Sequence, residues 1–300
     1  MKEMYQKLYI KLKSHTFSRK QKMLIAFISL LILSIPFLAI QPFNAPAEKL
    51  VLRFKRPPAP VEKQYATESS VLSATTGKVT YPQDYTVVLL GDSMTDRLGN
   101  TDELRGYLSE YYPDKTFEIL NYGYGATNIR SVKDRLLKET DNFRKYRPIT
   151  QIDFDLIIIE SFANNPLSDL NLAEGLQQQS ASLDEIIKVL KEHNPNAKIA
   201  FMTTIAPNRE NYAKTSRDLS DDVRDEWVDE RIAYMKNHIE YARLHNIPLI
   251  NVYEKSQDIF GDGKLIYIDD KDFIHPSPLG IIFISEKIAE GINELNLLER

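Results

Sequence analysis

Apolar positions fall into two regimes along the chain. From Met23 to Ile40 no residue is charged, and only Ser29, Ser34 and Pro36 interrupt the apolar run. About 18–20 such residues at a rise of 1.5 Å each cover a hydrocarbon layer of ~30 Å. The pattern predicts one transmembrane helix over 23–41. From Tyr85 onward the apolar runs are short and alternate with amphipathic stretches. Tyr85–Leu90, Phe117–Leu120, Phe154–Ile159, Lys198–Ile205 and Pro248–Val252 read as strands buried on both faces, as in a parallel sheet. Between and after them, helical spacing groups Leu104, Leu108 and Tyr111, then Leu183, Ile186, Ile187 and Leu190. A third stripe is Val223, Trp227, Ile232, Met235, Ile239 and Ala242, and a last one Ile281, Ile284, Ile288, Ile292 and Leu295. Ser277-Pro278 supplies an N-cap and first-turn pair for that last helix. Alternating strands and helices with right-handed crossovers predict an α/β fold, a three-layer α/β/α sandwich around a five-stranded parallel sheet. Ligands in such folds sit at the carboxyl ends of the strands.

Charge sharpens the division. Residues 1–22 hold seven basic residues against Glu3 alone, which leaves a net −10 on residues 23–300 of a chain whose total is −4. A basic flank before the apolar stretch orients the N-terminus to the cytoplasm and the body outward. The expected layout is a basic cytoplasmic tail (1–22), a signal-anchor helix (23–41), a spacer (42–83) with Pro42, Pro46, Pro57, Pro58 and Pro60 before the Ser/Thr-rich stretch Thr67–Thr76, and one domain (84–300). Ala45-Pro46-Ala47 has the small-x-small form of a signal cleavage site. The apolar stretch exceeds the usual signal core of about 7–15 residues, so an uncleaved anchor in the cell membrane is expected. The acidic body argues against nucleic acid as a partner. The absence of cysteine excludes disulfides, thiolate zinc sites and a thiol nucleophile.

Four segments carry candidate chemistry. The first strand runs into Gly91-Asp92-Ser93-Met94-Thr95, which presents a hydroxyl at the sheet's carboxyl edge. A serine needs a base to take its proton, and His275 in Asp272-Phe273-Ile274-His275 is the candidate. Asp272 lies close enough to hold the second imidazole nitrogen. His15, on the cytoplasmic side, and His193, His238 and His245, within or at the ends of helices, are poorer choices. Asn121-Tyr122-Gly123-Tyr124-Gly125-Ala126-Thr127 after the second strand can bring a backbone N–H to an oxyanion. Glu160-Ser161-Phe162-Ala163-Asn164-Asn165-Pro166 after the third offers a carboxamide. Asp92 is expected to bond nearby turn N–H groups, and Tyr122 and Tyr124 to pack at the core or rim. Pro207–Ser220 is a polar stretch that either borders or covers the pocket, or forms a surface connection.

In this order the segments resemble the four blocks of the SGNH (GDSL-type) hydrolase family: GDSMT, NYGYGAT, ANNP and DFIH. The resemblance implies a flavodoxin-like fold, Ser93 as nucleophile, His275 as base and Asp272 as its orienting acid. It implies the Ser93 N–H, Gly125 and an asparagine as oxyanion donors. Gapless alignment to the family's Gly-x-Asn-Asp selects Asn164, and a shift of one place selects Asn165. No metal or organic cofactor is implied. The resulting expectation is a membrane-tethered extracytoplasmic serine esterase acting on an ester-bearing small molecule or an acylated glycan, such as O-acetylated envelope or secreted polysaccharide. Acyl transfer to a glycan with the same residues is an alternative, as is a catalytically weak carbohydrate-binding module.

Overall fold

In chain order the elements are β1 (Tyr85–Gly91), α1 (Ser93–Asp96), α2 (Asp102–Tyr111), β2 (Phe117–Gly123), α3 (Val132–Leu137), β3 (Thr140–Asp141), β4 (Lys145–Tyr146), β5 (Leu156–Glu160), α4 (Leu172–His193), β6 (Lys198–Met202), α5 (Asp221–Leu244), β7 (Leu249–Ile250), α6 (Val252–Lys255) and α7 (Pro278–Glu294). They come from a computed structural model that describes residues 83–299. The tail, the expected anchor over 23–41 and nearly all of the spacer lie outside the described residues. Among the described residues no helix is long and apolar enough to cross a membrane.

Five parallel strands pair in the order β2-β1-β5-β6-β7. Alternate residues of each strand point to opposite faces. Val88 and Leu90 of β1, with Ile157 and Ile159 of β5, meet α3, α4 and α5 through Leu136, Leu183, Ile186, Leu190 and Met235. Val87 and Leu89, with Leu156 and Ile158, meet α2 and α7 through Leu104, Leu108, Ile284, Ile288 and Ile292. The three-layer α/β sandwich is therefore built as the apolar runs require.

From β1 the chain moves outward to β2 on one side, whereas β5 continues to β6 and β7 on the other. The boundary between β1 and β5 is thus the topological switch point, where loops leave in opposite directions and open a crevice. Ser93 follows β1, and Asn164 follows β5.

Several expectations are corrected. Pro248–Val252 yields only a two-residue strand, because Asn251 caps α6, which starts at Val252. Tyr111, Val223 and Leu295 are exposed, so they leave their predicted stripes. The buried face of α5 instead carries Arg224, Arg231 and His238 beside Tyr234 and Met235. Some of their polar atoms meet carbonyls, the Leu219 carbonyl for Arg224 at 3.1 Å and the Ile159 carbonyl for His238 at 3.3 Å, whereas Arg224 Nε and His238 Nδ1 are buried without a partner among the described residues.

Candidate active site

The turn after β1 places Ser93. Asp92 accepts from the Met94 N–H at 2.8 Å and so caps α1, with Ser93 as the first helical residue. A helix's first N–H groups have no intrahelical acceptor, so the Ser93 N–H is directed out of the helix start. The helix approaches β2 so closely that a Cβ at Gly123 would lie 2.2 Å from the Asp96 nitrogen. Glycine is therefore required there.

Between the turn at Leu265–Tyr267 and α7, the loop folds around one carboxylate. Asp272 Oδ1 accepts from the Ile274 N–H at 2.8 Å and the His275 N–H at 2.9 Å. Its Oδ2 lies 2.6 Å from His275 Nδ1. His275 Nε2 lies 3.0 Å from Ser93 Oγ, across 182 residues of sequence. Donation from Nδ1–H to the carboxylate leaves Nε2 as acceptor for the Ser93 hydroxyl. Burial alone would raise the Asp272 carboxyl, but bonds from the His275 ring and from two backbone N–H groups outweigh it. The net shift is below the ordinary value. Behind the loop, Ala213 donates to the Phe273 carbonyl and Ser216 Oγ to the Asp272 carbonyl at 3.2 Å. The polar stretch Pro207–Ser220 therefore borders the site.

Gly125 and the two asparagines meet the site differently. Gly125 is exposed, and the nearest atom to a Cβ built on it would be Asp96 Oδ2 at 3.9 Å. No crowding among the described residues demands glycine there. Asn165 donates through Nδ2 to Asp92 Oδ2 at 3.0 Å. Asn164 accepts through Oδ1 from the Tyr212 hydroxyl at 3.3 Å, and its buried Nδ2 has no partner among the described residues. Ala126, Phe162 and Phe273 take left-handed φ values of 54°, 55° and 55° in the three loops that carry Gly125, Asn164 and His275. Such conformations cost about 1–3 kcal/mol each and persist only where packing enforces them.

Sequence reasoning missed a buried charged group beneath the nucleophile turn. Asp92, Glu160 and Arg135 are all within 1% of full burial. Glu160 Oε2 accepts from the Asp92 N–H at 3.3 Å, and Oε1 accepts from Ser161 Oγ at 2.6 Å and the Phe162 N–H at 3.1 Å. Burial, then the Asp92 charge, drives the Glu160 carboxyl well above its usual range. Burial raises Asp92 as well, against bonds from Met94 and Asn165. The Arg135 guanidinium donates to the Gly91 carbonyl at 2.6 Å and the Tyr122 carbonyl at 2.9 Å, and also bonds Thr127 Oγ1. Burial lowers it to about 10, which leaves it charged. It joins the ends of β1 and β2. The one visible signal was Glu160, an acid ending an otherwise apolar strand.

Tyr122 and Tyr124 pack as expected: both are buried, and the Arg135 guanidinium covers the Tyr124 ring at 4.2 Å. Among the described residues no cluster of His, Asp and Glu side chains could hold a metal ion.

This serine-imidazole-carboxylate arrangement at the switch point of a parallel sheet defines the class of fold and site. The sequence profile of the GDSL-like lipase/acylhydrolase family matches residues 89–280, and the chain belongs to that family of ester hydrolases. No curated protein sequence matches it. Among solved structures, Axe2, an acetylxylan esterase from Geobacillus stearothermophilus, is similar at 15% identity and a TM-score of 0.51, covering 70% of this chain and 94% of its own. A Parabacteroides merdae protein designated a GDSL-like lipase is similar at 16% identity and a TM-score of 0.52, covering 73% of this chain and all of its own. At such identities the likeness is one of fold.

Proposed function

We propose that this acyl hydrolase is a serine esterase in which Ser93, His275 and Asp272 work as a triad. The 3.0 Å approach of His275 Nε2 to Ser93 Oγ carries the assignment. In the acylation half, His275 Nε2 takes the hydroxyl proton as Ser93 Oγ bonds to the ester carbonyl carbon. The carbonyl oxygen gathers negative charge, and the N–H groups of Ser93 and Gly125 with Asn164 Nδ2 receive it. Collapse of this intermediate breaks the bond to the alcohol, which leaves with the proton from His275. Water then repeats the sequence on the acyl-enzyme, releasing the acid and restoring the serine. Asn164 is preferred to Asn165 as donor because its Nδ2 is buried without a partner among the described residues, whereas that of Asn165 bonds Asp92.

The substrate class assigned is an ester-linked acyl group, such as O-acetyl, on an envelope or secreted polysaccharide. Acetylxylan, on which the similarly folded Axe2 acts, is one such glycan ester. The domain is placed outside the cell on an uncleaved anchor over 23–41. The basic tail and the charge-free run from Met23 to Ile40 support that placement.

Turnover of p-nitrophenyl acetate by the full-length chain and its Ser93→Ala variant tests the chemistry. Activity in the first and its loss in the second is expected. Equal rates in both would end the proposal.

A further inference from the structure

One cavity lies against the edge strand β2. Its volume is about 710 Å³, and its walls include Asn100, Asn121, Arg144, Lys145, Tyr146 and Arg147. Arg105 also lines it but is held by Asp102 at 2.7 Å, which neutralises both. Lys145 has two long ion pairs, at 3.5 Å to Asp141 and 3.6 Å to Glu139. Neither Arg144 nor Arg147 forms an ion pair with a carboxylate among the described residues. The Arg144 guanidinium lies over the Tyr146 ring, 4.6 Å from its centroid. Two arginines without an ion pair among the described residues stand out in one concave wall on a body whose net charge is −10 outside the first 22 residues.

This cavity is linked to the helix that carries Ser93. Asn121 Nδ2 donates to the Thr95 carbonyl at 2.9 Å and the Gly99 carbonyl at 3.1 Å, which fastens the cavity floor to the helix that begins at Ser93. Asp96, on that helix, interacts electrostatically with both His275 and Arg144. Gly99 on the cavity wall lies six positions after Ser93, so the two are at most about 20 Å apart.

We propose that the cavity is a subsite for an anionic group, carboxylate or phosphate, borne by the acylated glycan, so that the preferred substrate is a polyanion. The word substrate depends on the esterase proposal above; anion binding depends only on the cavity. Guanidinium forks match both oxyanions in a bidentate manner. The acidic remainder of the surface repels a polyanion, so this wall fixes where such a chain can lie.

Calorimetry on the full-length protein tests this with three oligomers of equal length: oligogalacturonate for carboxylate, a glycerol-phosphate oligomer for phosphate, and neutral xylo-oligosaccharide. At least one anionic oligomer should bind tenfold or more tighter than the neutral one. That preference should shrink as ionic strength rises toward the range where the Debye length is about 8 Å. The tighter of the two anions identifies the group. Arg144→Gln/Arg147→Gln should abolish the preference, and Arg144→Lys/Arg147→Lys should retain most of it. Equal affinity for all three oligomers, or an unchanged preference in the Gln variant, would overturn the proposal. Anion preference in a protein that fails to turn over p-nitrophenyl acetate would remove the esterase and leave the subsite standing.

Discussion

Asn165 Nδ2 donates to Asp92 Oδ2 at 3.0 Å, and this bond fastens the loop after β5 to the turn that carries Ser93. The neighbouring Asn164 Nδ2 is buried with no partner among the described residues. The two amides therefore have separable consequences. Asn164→Ala should lower kcat on p-nitrophenyl acetate by about 10²–10³, and Tm only slightly, through loss of the long 3.3 Å bond from the Tyr212 hydroxyl. Asn165→Ala removes a bond to a buried carboxylate, at a cost of about 1–3 kcal/mol, and should lower Tm first. Paired kinetics and thermal melts check this, and the reverse pattern would move the donor role to Asn165.

Asp272→Asn exchanges an acceptor for a mixed group where the His275 ring donates at 2.6 Å. The imidazole then loses the partner that fixes its tautomer and stabilises its charged form. A fall in kcat of about 10⁴ is expected. Steady-state kinetics from pH 6 to about 9 read it, and a loss below tenfold at every pH would remove Asp272 from the triad.

His238 is fully buried against Phe201, with ring centroids 4.2 Å apart, and burial pushes it down to about 3 from an ordinary 6.5. Below pH 6.5 the unfolded chain takes up a proton that the folded chain refuses. Stability should therefore fall as pH drops from 6.5 toward 3, with a slope approaching one proton from this residue. His238→Phe keeps an aromatic ring on Phe201 and removes the titration. Chemical denaturation at a series of pH values should show a shallower decline for that variant, and superimposable slopes would contradict the assignment.

Glu160 behaves in the opposite sense. Its folded carboxyl titrates above the ordinary value of 4.5, so the folded chain holds a proton that the unfolded chain has lost. Stability contributed by the protonated form should decline as pH rises from 4.5 and level off beyond the folded value. Relative to Glu160→Gln, the wild type should be most stable near pH 4 and progressively less so at neutral pH. A pH-independent difference between the two unfolding free energies would show that the Glu160 carboxyl titrates alike in the folded and unfolded chains, and would contradict the upward shift.

Much of this was legible in the sequence because apolar runs bounded by glycine and polar residues mark strands buried on both faces. Tyr85–Leu90 and its motif Gly-Asp-Ser located the sheet's carboxyl edge, and Asp272-x-x-His275 closed a contact that spans 182 residues. What stayed hidden depends on tertiary partners. Arg224 and His238 look like solvated positions of α5 until the carbonyls they face are known. Arg135 likewise reads as one more helical cation, although it joins the ends of β1 and β2 through two carbonyls. The choice between Asn164 and Asn165 could not follow from spacing, because both occupy one loop and only their hydrogen bonds differ. The short β3–β4 pair lacked any run long enough to signal it.

Covalent capture addresses the central claim most directly. The full-length chain treated with a fluorophosphonate, digested and analysed by mass spectrometry should carry the phosphonyl group on Ser93, and His275→Ala should suppress the reaction strongly. An unlabelled Ser93, or labelling that is indifferent to His275, would contradict a nucleophile activated by that imidazole.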